Sequence, residues 1–104
     1  MMNSISEIIS ADQAVLVYFY SPGCSACKIL RPKVMEMTGI QFPKVKLYEI
    51  DSSLHPELTA EVSVFAAPTI LVFFEGKEYL RESKYISVDQ LKEKISRYYN
   101  MLFD

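Results

Sequence analysis

The sequence predicts an α/β domain: a central mixed sheet of four strands with helices packed on both faces. Three observations point to it. Two continuous, β-rich apolar runs, Ala14–Tyr20 and Thr69–Phe74, read as strands buried on both sides. Segments with helical spacing and capping signals precede, separate and follow them. A Glu75-Gly76-Lys77 turn directly after the second run calls for an antiparallel return. With 104 residues, the chain fits one domain over 1–104 and leaves little room for another.

Taken in order, Ser4-Ile5-Ser6-Glu7 is a capping box, and the helix it opens puts Ile5, Ile8 and Ile9 on one face before fading at Ala11-Asp12. The Ala14–Tyr20 strand is broken by Ser21-Pro22-Gly23. A second helix is expected from Cys24–Ser25 to about Thr38, with Gly39 as a left-handed stop. Pro32 lies inside it and should kink rather than end it, because the apolar spacing resumes at Val34 and Met37. Val45–Ile50 reads as a strand. Ser53 to Val64 reads as a short helix with Pro56 in its first turn.

After the Thr69–Phe74 strand, Glu78–Glu82 is the hairpin partner. A second capping box, Ser87-Val88-Asp89-Gln90, opens a last helix with Val88, Leu91, Ile95, Tyr98, Tyr99 and Leu102 close to a 3.6-residue repeat. Strands separated by helices imply right-handed parallel crossovers, and the closing hairpin makes the sheet mixed.

Composition narrows the function. Half the residues are hydrophobic and 23% are charged, with 13 acidic against 11 basic side chains for a net charge of −2. That balance supplies no electrostatic reason to bind nucleic acid or an anionic membrane. The start of the chain has neither a cationic region nor a long apolar one, and the longest apolar runs fall far short of the ~20 residues that span a bilayer. A cytoplasmic location is therefore expected, and a monomer is the expected state, although nothing in the composition fixes the oligomeric state. A bridge between cysteines three positions apart closes too short a loop to stabilise the fold much.

The chemistry concentrates at Cys24-Ser25-Ala26-Cys27. A Cys-x-x-Cys after a buried strand, opening a helix, is a redox signature. Positions i and i+3 of a helix face the same side, so the two sulfurs can meet. Cys24 in the first turn sits where unpaired amides and the helix dipole favour a thiolate. It is the expected exposed nucleophile, and Cys27, one turn deeper, the expected resolving thiol. Two other readings compete. A zinc site needs four ligands, whereas one chain offers two cysteines and the distant His55 unless a dimer pools its thiolates. Alternatively, both cysteines are inert and packed. No metal and no bound cofactor are expected, only a redox-active Cys24–Cys27 disulfide.

With that motif in place, the chain resembles the thioredoxin family over nearly its whole length. The resemblance rests on Phe19, Cys24-Ser25-Ala26-Cys27-Lys28, Pro32, Asp51, Ala67-Pro68-Thr69 and Gly76 at consistent spacing. It implies a thioredoxin-like fold lacking the extra N-terminal strand of many members. It also implies a cis Ala67–Pro68 peptide facing the cysteines, with Ala67 pairing its backbone to an extended substrate. Gly23, Ser25 and Ala26 would complete the substrate contacts. The implied activity is reduction of protein disulfides, with electrons from a thioredoxin-reductase-type enzyme or a small thiol. The alternatives are an oxidase or isomerase on the same fold, or a poorly active adaptor.

Departures from the family pattern stand beside these matches. Gly23 and Ala26 replace the usual tryptophan and proline around the cysteines. Tyr18 and Leu47 replace a buried aspartate and its lysine, so Tyr18 either relays a proton or fills space. Lys84 replaces a glycine of the substrate groove, which narrows the groove or favours an acidic partner. Lys28 adds positive charge beside the motif, and His55 next to Pro56 reads as a helix-entry residue. The cluster Tyr98, Tyr99, Leu102 and Phe103 exceeds what one helix face needs, for packing or for a partner.

Overall fold

The computed structural model describes residues 4–103. Helix α1 (Ile5–Ser10) leads into strand β1 (Ala14–Tyr20), followed by helix α2 (Ser25–Gln41) and strand β2 (Lys46–Asp51). Helix α3 (Pro56–Glu61), the hairpin β3 (Thr69–Phe74) and β4 (Lys77–Ser83), and helix α4 (Val88–Phe103) complete it. The sheet order is β2-β1-β3-β4, which buries β1 and β3 in the centre. Alternation of side chains then splits the core in two. Ala14, Leu16 and Tyr18 join Ile70 and Val72 beneath Val34 of α2 and Leu91 and Ile95 of α4. Val15, Val17 and Phe19 join Leu71 and Phe73 beneath Ile5 and Ile8 of α1 and Leu58 of α3.

β1 pairs in parallel with β2, but β3 runs antiparallel to β1 although α3 intervenes. This corrects the expected second parallel crossover, and length explains it. The anticipated helix over Ser53–Val64 contracts to the six residues of α3, about 9 Å of rise, against a six-residue strand near 20 Å. So short a helix does not return the chain to the far end of the sheet. β3 therefore enters at the end where β2 leaves. Local chemistry sets the contraction: Asp51 Oδ1 accepts from the Ser53 amide and hydroxyl, Pro56 takes the first helical position, and Ser63 turns left-handed at φ 56°.

A second correction concerns α2, which passes Gly39 and ends at Gln41; Gly39 is helical and not a left-handed stop. Fully buried Thr38 and the docking of Phe42 in the core hold the last turn, outweighing a glycine cost of about 1 kcal/mol. α2 also runs through Pro32 without ending. Both capping boxes form their forward bond. In the second, the Gln90 amide donates to Ser87 Oγ (3.1 Å) and the Ser87 amide to Gln90 Oε1 (3.0 Å). Gly76 supplies the hairpin's φ of +82°.

The C-terminal aromatic cluster packs on the molecule itself. Tyr98 stacks on Phe74 at 4.7 Å, and Tyr99 meets Phe42 at 4.9 Å while its hydroxyl accepts the Lys44 amide.

Candidate redox site

β1 delivers the chain to the site, and Ser21-Pro22-Gly23 turns it into α2. Cys24 is the N-cap of α2: its backbone is extended, and its Sγ accepts the Cys27 amide at 3.2 Å. A sulfur thus takes the position usually held by a serine or aspartate oxygen, among the helix's unpaired amides. Cys24 and Cys27 form a disulfide across 5.3 Å between Cα atoms. Cys27 is 3% exposed within the α2/α4 core, whereas Cys24 is partly exposed at its edge.

The second half of the site comes from β3. Phe19 pairs with Thr69 and Tyr20 with Asp51, so the ends of β1 and β2 and the start of β3 share one end of the sheet with the cysteines. The Ala67–Pro68 peptide is cis, and Ala67 packs partly buried against the core that holds Cys27. It stands two residues before the ladder begins at Thr69. The approach loop is tied down from both sides. Thr69 Oγ1 donates to the Ala66 carbonyl at 2.6 Å, and Arg81 of β4 donates to the Val62 and Ser63 carbonyls while paired with Glu78. Phe65 in that loop is exposed.

Tyr18 lies beneath, fully buried, its hydroxyl without a hydrogen-bond partner among the described residues. Burial pushes its pKa up to about 12, partly offset by the Arg31 charge nearby. A phenol this weakly acidic stays protonated at neutral pH and does not act there as a base. Leu47 packs against the same cluster in place of a lysine. With no aspartate beneath the cysteines, a cation there would be unpaired.

Sequence reasoning missed Arg31. It lies one turn after Cys27 on the same helical face, a spacing legible in the sequence, but its partners come from two strands. Its Nε donates to Glu49 Oε1 at 2.6 Å, and its guanidinium stacks 3.7 Å from the centre of the Tyr20 ring. The hydrogen bond to Glu49 raises its already high pKa, so the group is a fixed cation. Arg31, Tyr20, Lys28 and both cysteines line a cleft of about 340 Å³.

The other anticipated residues divide. Ser25 is exposed on the first turn, and Ala26 opens onto a second groove that reaches Lys84. Gly23 needs no special backbone angle, and a Cβ there would meet nothing within 4 Å. His55 caps no amide with its side chain; it precedes α3 and lies 3.9 Å from Glu57. Among the described residues, no three His, Cys, Asp or Glu side chains gather as a metal-binding group. No helix among them is long and apolar enough to cross a membrane.

Comparison with known proteins agrees with this geometry. The thioredoxin family model matches residues 2–97. A thioredoxin-like protein of Bacillus subtilis, YdfQ, is 33% identical over 98 residues, covering 94% of this chain and 87% of that protein. A putative protein disulfide-isomerase of Schizosaccharomyces pombe is 36% identical over 76 residues, but these span only 15% of its length. The chain likewise spans between 41% and 66% of several plant, algal and animal thioredoxins it matches. Among solved structures, a mutant thioredoxin of Halobacterium salinarum superposes with a TM-score of 0.79 at 26% identity, covering 90% of this chain and 81% of that one. With the motif, the fold and the family model in agreement over nearly all of its length, the chain belongs to the thioredoxin family.

Proposed function

We propose that the protein is a dithiol–disulfide oxidoreductase that reduces protein disulfides through Cys24 and Cys27, without a bound cofactor. The observation that carries this reading is the asymmetry of the pair. Cys24 is reachable and its sulfur accepts a helix-terminal amide, while Cys27 is sealed one turn deeper. In the reduced protein, the Cys24 thiolate attacks one sulfur of a substrate disulfide, forming a mixed disulfide and expelling the other sulfur as a thiolate. Cys27 then loses its proton and attacks Cys24 Sγ. This restores the Cys24–Cys27 disulfide and releases the second substrate thiol. Two electrons have passed to the substrate. A thioredoxin-reductase-type enzyme or a small thiol returns them.

Backbone groups of Ala67, next to Pro68, would pair strand-like with the substrate, and Gly23, Ser25 and Ala26 around the cysteines would complete its contacts. The decisive experiment replaces Cys27 with serine. Mixed disulfides through Cys24 should accumulate with protein substrates, and thiol trapping against glutathione should give a reversible two-electron couple in the native chain. A strongly oxidising couple would move the reading to an oxidase or isomerase, and no couple at all would sink it. One observation favours a second reading, a slowly turning-over binding domain: Tyr18, neutral and unpartnered, shares the buried cluster of Cys27 at the position where the family resemblance implies an aspartate. Partner binding unaffected by Cys27→Ser would support that alternative.

A further inference from the structure

The charge around the cysteines runs against the charge of the chain. The protein carries −2 overall, yet the two grooves flanking the disulfide are lined by Lys28 and Arg31 on one side and Lys33 and Lys84 on the other. Their one acidic lining residue among the described residues is Asp89, at the start of α4. Among the described residues Lys28, Lys33 and Lys84 take part in no ion pair. Arg31 does, but only through Nε to Glu49, with its plane held on Tyr20. A guanidinium fixed on one edge in the wall of a cleft keeps its two terminal nitrogens free of any acidic partner among the described residues and is preorganised for a carboxylate.

We propose that the preferred substrates are protein disulfides with aspartate or glutamate beside the reacting cysteine, held by Arg31 on one flank and Lys84 on the other. The proposal rests on the redox reading above and adds its substrate class. Exposed Ile29 lines the Lys84 groove, so the fitting segment is apolar as well as acidic. Both grooves open beside the Cys24–Cys27 turn, one through the cysteines themselves and the other through Ala26. An extended segment crossing the disulfide therefore meets a cation on either side of its own sulfur.

The test uses the full chain, reduced beforehand and freed of reductant, mixed with disulfide-bonded model peptides that differ only at the flanking positions: aspartate, asparagine or lysine. The second-order rate constant should fall in that order, with about a tenfold gap between aspartate and lysine at low salt that closes as salt screens it. Arg31→Gln should cut the gap at least twofold, and Lys84→Glu should abolish or invert it. Taking the ratio between peptides cancels any change in the nucleophile itself. Equal rates for the three peptides at low salt would overturn the proposal and leave the redox reading standing, as would a ranking that neither variant alters. If no peptide is reduced, both fall together.

Discussion

The two faces of the sheet are built to different rules. Beneath α1 and α3 the buried cluster is hydrocarbon throughout: Ile5, Ile8, Val15, Val17, Phe19, Ile50, Leu58, Val64, Leu71 and Phe73. Beneath α2 and α4, apolar residues of similar size surround Cys27 and Tyr18, and Thr38 is fully buried on α2. The Tyr18 hydroxyl and Thr38 Oγ1 are both buried without a hydrogen-bond partner among the described residues. Each such orphan costs about 1–3 kcal/mol. One face is purely hydrocarbon, and the face that houses the cysteines gives up some stability in two unpartnered hydroxyls. The contrast is local: Tyr18 shares a buried cluster with Cys27, whereas Thr38 stands eleven residues further along α2, about 16 Å of helix rise away.

The sharpest way to probe the contrast is to open a cavity on the hydrocarbon face. Leu71 is fully buried in the central strand β3, so Leu71→Ala should lower unfolding free energy by about 2–5 kcal/mol, read from the urea midpoint. The Cys24–Cys27 couple should hardly move. A shifted couple would mean the two faces are not independent.

Tyr18→Phe probes the other face and should have the opposite sign. Near neutral pH it removes an unpartnered hydroxyl and should leave stability unchanged or raise it by about 1 kcal/mol. Its alkaline behaviour is more telling. The unfolded phenol ionises near pH 10, whereas the buried one holds its proton to about 12. Between those values the native state binds more protons, so stability falls as pH rises from about 10 through 12, by roughly 3 kcal/mol in all. The phenylalanine variant should lack that share of the fall. Destabilisation by Tyr18→Phe at pH 7 would show that the hydroxyl is satisfied. A slowed resolving step with an intact fold would mark it as a proton relay and not as packing.

Smallest is a comparison of helix starts. Ser87→Ala removes one leg of a reciprocal box at the mouth of the Lys84 groove and should cost about 1 kcal/mol in thermal unfolding. Ser4→Ala loses one longer capping bond of 3.3 Å and an exposed contact with Ser6 Oγ on the six-residue α1, with no return bond from Glu7, and should cost less. Equal costs would mean that the closure of the box adds nothing.

Much of this was legible because it is local. β1 and β3 have the boundaries their apolar runs foretold, since strands buried on both sides must be apolar without interruption. The hairpin at Gly76, the Ser87–Gln90 box and the placement of Cys24 and Cys27 at a helix start all lie within a few residues of sequence. What misled were the elements whose ends depend on distant partners. Gly39 did not stop α2, because Thr38 and Phe42 are buried in the core, and α3 was overextended, because the Asp51 turn and the left-handed Ser63 limit it.

By itself, the sequence determined the α/β class, the central strands and the pairing of Cys24 with Cys27, because hydrophobic periodicity and the spacing of two thiols are short-range properties of a chain. The place of Ala67–Pro68 beside the cysteines was already implied by the family resemblance, whereas only the tertiary structure decided that β3 runs against β1. It also decided that Arg31 is clamped between Glu49 and Tyr20, and that Lys84 faces a groove reaching Ala26. Those contacts join residues far apart in the chain, and no local preference encodes which of them will meet once the core has closed.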